Sequence, residues 1–292
     1  MPHYILGIDG GGTSCRAAVA GADGRILGRG KSGAANILTD PDNALIHIVG
    51  AATAAFEEAN IAPSEIGSAC ALLGVAGSNV GDAVHYVKER LPFAKADIES
   101  DGLIALQGAL GDSDGAVAIL GTGSIYISRK GDEIRYIGGW GFQIGDLGSG
   151  ARLGHALLQE SLLAFDRIHS SSPLTDAVMA EFNDDPRDAV EFARAARPGD
   201  FGRFAPKVFE YAGQNDPVAI ALLRSSARTI DEALDAVVAQ GSRKLCLLGG
   251  LAPIYRAWLA ERHQPLFMEP EADALTGSVA LAAKRFAAGA TT

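Results

Sequence analysis

Two segments of this chain repeat one layout, and that layout restricts the possible folds more than any other feature. The first runs Tyr4-Ile5-Leu6-Gly7-Ile8-Asp9-Gly10-Gly11-Gly12-Thr13-Ser14, continues through Arg16-Ala17-Ala18-Val19-Ala20, turns at Asp23-Gly24 and resumes at Ile26-Leu27-Gly28. The second runs Ala116-Val117-Ala118-Ile119-Leu120-Gly121-Thr122-Gly123-Ser124, continues through Ile125-Tyr126-Ile127-Ser128, turns at Lys130-Gly131-Asp132-Glu133 and resumes at Ile134-Arg135-Tyr136-Ile137. Each reads as strand, Gly/Thr/Ser hairpin, strand, turn, strand. One copy near the start of each half predicts two related α/β domains, each a mixed sheet with helices, facing each other across a cleft.

Glycines in such a hairpin let successive backbone N–H groups converge on an anion, and Thr and Ser hydroxyls add donors. A single Gly-rich turn is weak evidence, since most are merely tight turns. Two in matching context predict a polyphosphate site built from backbone donors. The loop G-x-x-x-x-G-K-[ST] is absent, and residues 15–20 read as a strand where G-x-G-x-x-G would open a helix.

Composition narrows the partners. The chain has 292 residues, 48% hydrophobic and 21% charged, which suits one large or two medium globular domains with a sizeable core. A net charge of −10 argues against nucleic acid or an anionic membrane surface as partner. No stretch reads as a signal peptide or membrane span. Cys15, Cys70 and Cys246 are too far apart for a CxxC site; they read as small buried hydrophobes in a reducing, cytoplasmic setting. The six His offer no i, i+4 pair, and Asp184-Asp185 and Glu57-Glu58 read as solvated faces or helix ends.

Along the chain, residues 40–60 predict a helix capped by Asp40 with Pro41 in its first turn. Residues 69–75 predict a buried strand ending at Ala76-Gly77-Ser78, followed by a helix through about Arg90. A short strand at 97–100 runs into Asp101-Gly102 and a helix over 103–110. Helices are further expected at about 151–168, 173–182, 186–196, 206–212, 217–239 and 276–287, with a strand at 244–248 that stops at Gly249-Gly250. The expected domains are 1–110 and 111–292, with the closing helix able to pack back on the first.

Asp9-Gly10-Gly11-Gly12-Thr13, Leu120-Gly121-Thr122-Gly123-Ser124, Leu248-Gly249-Gly250 and Leu275-Thr276-Gly277-Ser278 resemble the phosphate, adenosine and hinge motifs of the actin-like (ribonuclease H-like) ATPase superfamily. Gly138-Gly139-Trp140-Gly141, Gly145-Asp146 and Gly148-Ser149-Gly150 resemble its N-acetylglucosamine kinase branch, within the BadF/BadG/BcrA/BcrD ATPases. The stretch from Gly7 to Arg16, with Ser32-Gly33-Ala34-Ala35-Asn36, is most similar to bacterial glucosamine kinases.

The resemblance implies an ATP-dependent kinase acting on the 6-hydroxyl of glucosamine, or alternatively of N-acetylglucosamine. It implies Asp101 as general base, for which the competing reading is a helix N-cap. It implies sugar contacts from Asn36, Asp101, Ser124, Gly139, Trp140, Gly141 and Asp146. Asn36 and Asp146 read otherwise as turn residues, and Trp140 as core. Phosphate and adenosine contacts would come from Asp9, Gly11, Gly12, Thr13, Gly121, Thr122, Gly123, Gly249 and Gly250, with Asp9 orienting hydrated Mg²⁺. A homodimer is implied as well. Where the family commonly carries Glu after the second carboxylate, this chain has Leu147, which puts in doubt any metal or polar role assigned to that Glu.

Two other classes share the superfamily. ATPase activators of dehydratases or reductases hold an iron–sulfur cluster with cysteines that are not arranged that way here. Sugar-sensing regulators carry a helix-turn-helix and a Cys-rich zinc motif, neither of which is expected in this chain.

Overall fold

A computed structural model describes residues 4–78 and 82–287. The chain forms two compact units: the first comprises residues up to Ser113 together with those from Glu269 onward, the second Asp114–Met268.

The first unit begins as an antiparallel meander of β1 (Ile5–Gly10), β2 (Cys15–Ala20) and β3 (Ile26–Ser32). Helix α1 (Pro41–Glu58) returns the chain to β4 (Cys70–Val75), which pairs parallel with β1. Helix α2 (Ala83–Lys88) leads to β5 (Lys95–Ser100), parallel to β4, and then α3 (Asp101–Leu110). The helix expected after Ser78 is α2; its expected part at residues 79–81 lies outside the described residues. The strand order is β3-β2-β1-β4-β5.

Side-chain alternation along β1 assigns its two faces. Leu6 and Ile8 join the cluster with Ile48, Ala52 and Phe56 of α1, whereas Ile5 joins Ile104 of α3 and Leu275, Val279 and Ala282 of the closing helix. Every residue of β4 is buried, as expected for a central strand covered on both sides. Asp40 caps α1 by accepting from Asn43 N–H at 3.1 Å, and β3 is flat against α1 because a Cβ at Gly30 would lie 2.1 Å from the Ala51 carbonyl oxygen.

In the second unit, β6 (Gly115–Leu120), β7 (Ser124–Lys130) and β8 (Glu133–Gly138) form the second meander. Seven helices follow one another here: α4 (Gly150–Phe165), α5 (Pro173–Ala180), α6 (Pro186–Ala195), α7 (Pro198–Gly202), α8 (Ala205–Gly213), α9 (Pro217–Ala239) and, after β9 (Leu245–Leu248), α10 (Ala252–Tyr255). β9 pairs parallel with β6, giving β8-β7-β6-β9. The first four strands of each unit therefore share one topology, a meander whose first strand takes a parallel partner after a helical crossover. Helix α7 was not among the helices expected from the sequence; Pro at the first helical position and the Asp200 carboxylate accepting from Arg197 N–H (2.7 Å) start it.

The closing helix α11 (Ala274–Ala287) belongs to the first unit, where it packs on α3, β1 and β4. A Cβ at Gly277 would stand 2.1 Å from the Ile104 carbonyl oxygen, so only glycine permits this crossing with α3. No helix among the described residues is long and apolar enough to cross a membrane.

Candidate functional site

The first hairpin is closed from within. Gly11 N–H donates to Ser14 O (2.9 Å), and the carbonyls of Gly10 and Gly11 accept from Ala76 N–H (2.8 Å) and Ala35 N–H (2.9 Å). Gly11 is thus committed as a donor, contrary to its expected role of offering an N–H to phosphate. The N–H groups of Gly12 and Thr13 have no hydrogen-bond partner among the described residues, and both residues are exposed. Asp9, paired across β1–β2 with Arg16, accepts from Arg16 Nε at 3.1 Å and from Arg16 Nη2 at the same oxygen. Arg16 Nη1 donates to Asp273 (3.1 Å), whose other oxygen accepts from Thr276 N–H (2.9 Å) in the first turn of α11. Sequence reasoning passed over Arg16; the strand register, which sets it opposite Asp9, was the signal for it.

The second hairpin is seated on a helix start. Gly121 N–H donates to Gly123 O (3.0 Å), while Gly121 O and Thr122 O accept from Gly150 N–H (2.8 Å) and Ala151 N–H (3.2 Å) at the head of α4. Gly121, like Gly11, has spent its N–H. The N–H groups of Thr122 and Gly123 retain no backbone partner among the described residues.

Four glycines of the expected nucleotide motifs differ in what surrounds them. At Gly12, Gly121 and Gly250 an added Cβ would meet no atom within 4 Å beyond the chain neighbours, and none has a positive φ. Of the three, Gly121 has its N–H committed to Gly123 O, whereas the Gly12 N–H has no partner among the described residues. Gly249 differs: its φ is +91° and its Cβ would lie 2.3 Å from Leu120 O. It is glycine because the turn after β9 crosses the end of β6, where Leu251 N–H donates to Leu120 O (3.1 Å). Gly249 is therefore accounted for by packing, while at Gly250 a side chain would meet open space.

Asp101 is the first residue of α3. The N-cap is Ser100, whose Oγ accepts from Leu103 N–H at 3.1 Å. This corrects two expectations: the helix starts two residues early, and the capping alternative for Asp101 falls to its neighbour, since a Ser hydroxyl caps well from that extended position. Asp101 Oδ1 accepts from Gly102 N–H (2.9 Å). The residue is exposed to solvent, yet enough protein surrounds it to push its carboxyl above the usual carboxylate range. Desolvation is the largest cause and the Asp9 charge adds to it; together they outweigh the Gly102 hydrogen bond.

Asn36 does make a turn: its Oδ1 accepts from Leu38 N–H (3.0 Å) and Thr39 N–H (3.2 Å), leaving the amide Nδ2 to donate elsewhere. Residues 138–149 form a tight loop, with Gly139 and Gly141 at φ +73° and +85° and Asp146 at φ +56°, a conformation Asp tolerates better than most residues. Trp140 is 76% exposed, which removes the core reading. Ser124 Oγ donates to Leu147 O (2.8 Å), so this hydroxyl anchors the loop, and it is the backbone of Leu147 that supplies the polar contact. The Leu147 side chain is exposed. Asp146 is half-buried beside the hairpin, within 2.9 Å of where a Gly123 Cβ would stand. Burial raises its carboxyl above the usual range against hydrogen bonds from Gly141 and Ser124 and the nearby Arg152 charge. The loop is held down by Phe142, stacked on Phe201 at 5.1 Å.

Among the described residues no cluster of three or more His, Cys, Asp or Glu side chains is disposed to hold a metal ion. Cys15, Cys70 and Cys246 are buried within β2, β4 and β9.

The chain is similar to known proteins over nearly all of its length. The profile of the BadF/BadG/BcrA/BcrD ATPase family matches residues 6–266. Glucosamine kinase GspK of Vibrio cholerae is 38% identical over 283 residues, covering 97% of this chain and 96% of that protein. A crystal structure of a candidate N-acetylglucosamine kinase from Chromobacterium violaceum has a TM-score of 0.88 at 32% identity, covering 96% of this chain and 99% of that one. A ROK hexokinase from Thermus thermophilus is alike in fold alone, with a TM-score of 0.59 at 19% identity over 97% of this chain and 99% of its own.

Proposed function

The chain belongs to the BadF/BadG/BcrA/BcrD ATPase family, with the two-sheet fold of the actin-like ATPases, and we propose that it is an ATP-dependent amino-sugar kinase acting on the 6-hydroxyl of D-glucosamine. The observation that carries this reading is Asp101, a solvent-reached carboxylate at the end of β5 whose surroundings raise its proton affinity. The sugar 6-oxygen attacks the γ-phosphorus of ATP, the bond to the β–γ bridging oxygen breaks, and ADP leaves. Asp101 accepts the hydroxyl proton as that bond forms. A base whose pKa is lifted toward the working pH transfers protons more effectively, a contribution of roughly 10²–10⁴-fold; positioning and charge stabilisation supply the rest.

Phosphate oxygens take the N–H groups of Gly12, Thr13, Thr122 and Gly123 and the hydroxyls of Thr13 and Thr122. Gly11 and Gly121 close the two hairpins that present those donors. Gly250 leaves room for the adenosine, and Gly249 shapes the turn that carries it. Mg²⁺, when bound, neutralises phosphate charge; it keeps much of its water shell and uses few carboxylates, so the single carboxylate of Asp9 fits its needs. Asn36 Nδ2, Asp101 and Asp146 bind sugar hydroxyls or the amine. The Gly139-Trp140-Gly141 segment lies along the ring, and Ser124 fixes that loop through Leu147.

Glucosamine is favoured by the 38% identity to the Vibrio cholerae protein, and N-acetylglucosamine is the second reading because of the Chromobacterium violaceum structure. The activator class is disfavoured, since thiols buried in three different strands do not offer thiolates to a cluster. We place the kinase in the cytoplasm, where those thiols stay reduced, as a homodimer. Sedimentation at the monomer mass would remove the dimer, and recovery in a non-cytoplasmic fraction would remove the compartment. ³¹P and ¹³C NMR of the product after incubation with glucosamine, ATP and Mg²⁺ tests the chemistry. A phosphate ester on carbon 6 is expected; an ester at carbon 1, or free phosphate alone, would overturn it.

A further inference from the structure

Asn36 is carried by the segment between β3 and α1, and that segment is tied down along its length. Ala35 N–H donates to Gly11 O (2.9 Å), Ile37 N–H to Ala76 O (3.1 Å) and Asp40 N–H to Asn36 O (3.3 Å). At its start the anchor is a side chain of α1. His47 Nδ1 accepts from Gly33 N–H at 3.1 Å and lies 2.9 Å from Ser32 Oγ, at the end of β3. A ring nitrogen that accepts a backbone N–H carries no proton of its own. The Ser32 hydroxyl therefore donates to it as well, and the ring proton rests on Nε2.

The same ring explains a glycine. Gly33 has no positive φ, so its backbone makes no demand for that residue, yet a Cβ there would stand 2.5 Å from His47 Cε1 and Nε2. One turn further along α1, a Cβ at Gly50 would lie 3.2 Å from Ser32 Oγ. Two missing side chains and one imidazole thus seat the exit of β3 on α1. Without the imidazole, Ser32 Oγ and Gly33 N–H lose their shared acceptor, and residues 33–35 are left with the Ala35 bond to Gly11 O.

We propose that His47 is a positioning residue for the amino sugar: by holding Ser32 and Gly33 through Nδ1, it fixes the segment that presents the Asn36 amide to a sugar hydroxyl. The backbone bonds of Ala35 and Ile37 set the height of that segment, and His47 sets where it begins. This inference rests on the sugar-binding reading of Asn36 above.

The test is a double-mutant cycle between His47→Leu and Asn36→Ala, read as steady-state KM and kcat with the preferred amino sugar. His47→Leu alone raises the sugar KM about three- to tenfold, the worth of one neutral hydrogen bond, while kcat and the KM for ATP stay within about twofold. His47→Asn, whose Oδ1 takes nearly the place of Nδ1, restores the sugar KM. In the Asn36→Ala background, His47→Leu raises the sugar KM no further. Should His47→Leu not fold, Gly33→Ala reads the same anchor, because its methyl group drives the ring off its contacts and raises the sugar KM alike. A sugar KM unchanged in His47→Leu or in Gly33→Ala, or raised as much with Asn36 absent as present, overturns the His47 assignment and leaves the kinase reading standing. An Asn36→Ala enzyme with the wild-type sugar KM removes Asn36 from the sugar site, and His47 with it. A wild type that phosphorylates no sugar overturns the kinase reading and the assignment together.

Discussion

Adjacent glycines at the end of β9 should respond in opposite ways to the same added methyl group. At Gly249 an alanine Cβ would stand 2.3 Å from Leu120 O, where ordinary contact begins near 3.4 Å, and φ is +91°. Relief of an overlap of about 1 Å in a packed turn costs about 1–3 kcal/mol, and an L-residue held at positive φ adds about 1–2 kcal/mol. Gly249→Ala should therefore lose about 2–5 kcal/mol, a melting temperature lower by roughly 5–15 °C for a unit of this size. At Gly250 the Cβ meets nothing within 4 Å and φ is not positive. Gly250→Ala should hold its stability or gain about 0.4–1 kcal/mol by restricting the unfolded chain, while the KM for ATP rises about tenfold as the methyl group enters the space assigned to the nucleoside. The assays are urea or thermal unfolding of each variant, followed by ATP titration at saturating sugar. A Gly249→Ala protein as stable as wild type would refute the steric reasoning, and a Gly250→Ala enzyme with unchanged KM for ATP would remove Gly250 from the nucleotide site.

Asp101→Asn should lower kcat by about 10²–10⁴-fold with the KM for ATP nearly unchanged; retained turnover would take the base role away from Asp101. A carboxyl whose folded pKa lies above its unfolded value binds more protons when folded, so stability falls as pH rises from the unfolded value of 3.8 through the folded one. At pH 7 the Asn variant should accordingly melt at or above wild type, and a lower melting temperature would contradict that sign. For the same reason the acid limb of the wild-type pH–rate profile should lie above the usual carboxylate range. Arg16→Met should move that limb further up, because Asp9 loses its counter-charge and presses harder on Asp101; an unmoved limb would disconnect the two carboxylates. His263, buried with ring nitrogens 2.9 Å from Asp231 and from Asp235, joins α9 to the segment after α10. Its replacement by Leu should cost about 2–4 kcal/mol in urea unfolding while leaving sugar KM unchanged, and an unaltered midpoint would show that the network is dispensable.

Much of the architecture was legible in the chain because its signals are local. The paired Gly/Thr/Ser hairpins with alternating apolar flanks announced two meanders, and Asp40-Pro41 and Pro217 marked α1 and α9 at their starts. Less legible was anything fixed by contact at a distance. Nothing near Leu248-Gly249-Gly250 reveals that one glycine faces Leu120 and the other open space. Nothing near Gly11 or Gly121 shows that their N–H groups close the hairpins. The start of α3 was misplaced because both Ser100 and Asp101 can cap, and only the backbone of Ser100, extended at φ −70° and ψ 146°, decides between them. Leu147 shows a further limit: its side-chain type suggested a lost polar contact, while its carbonyl makes one.

The most direct test of the whole account is ADP release from Mg-ATP, followed continuously in the presence of glucosamine, N-acetylglucosamine, N-acetylmannosamine or glucose. Release that depends on sugar and is fastest with glucosamine is expected. ATP hydrolysis at one rate with or without sugar, or no release with any of the four, would contradict it.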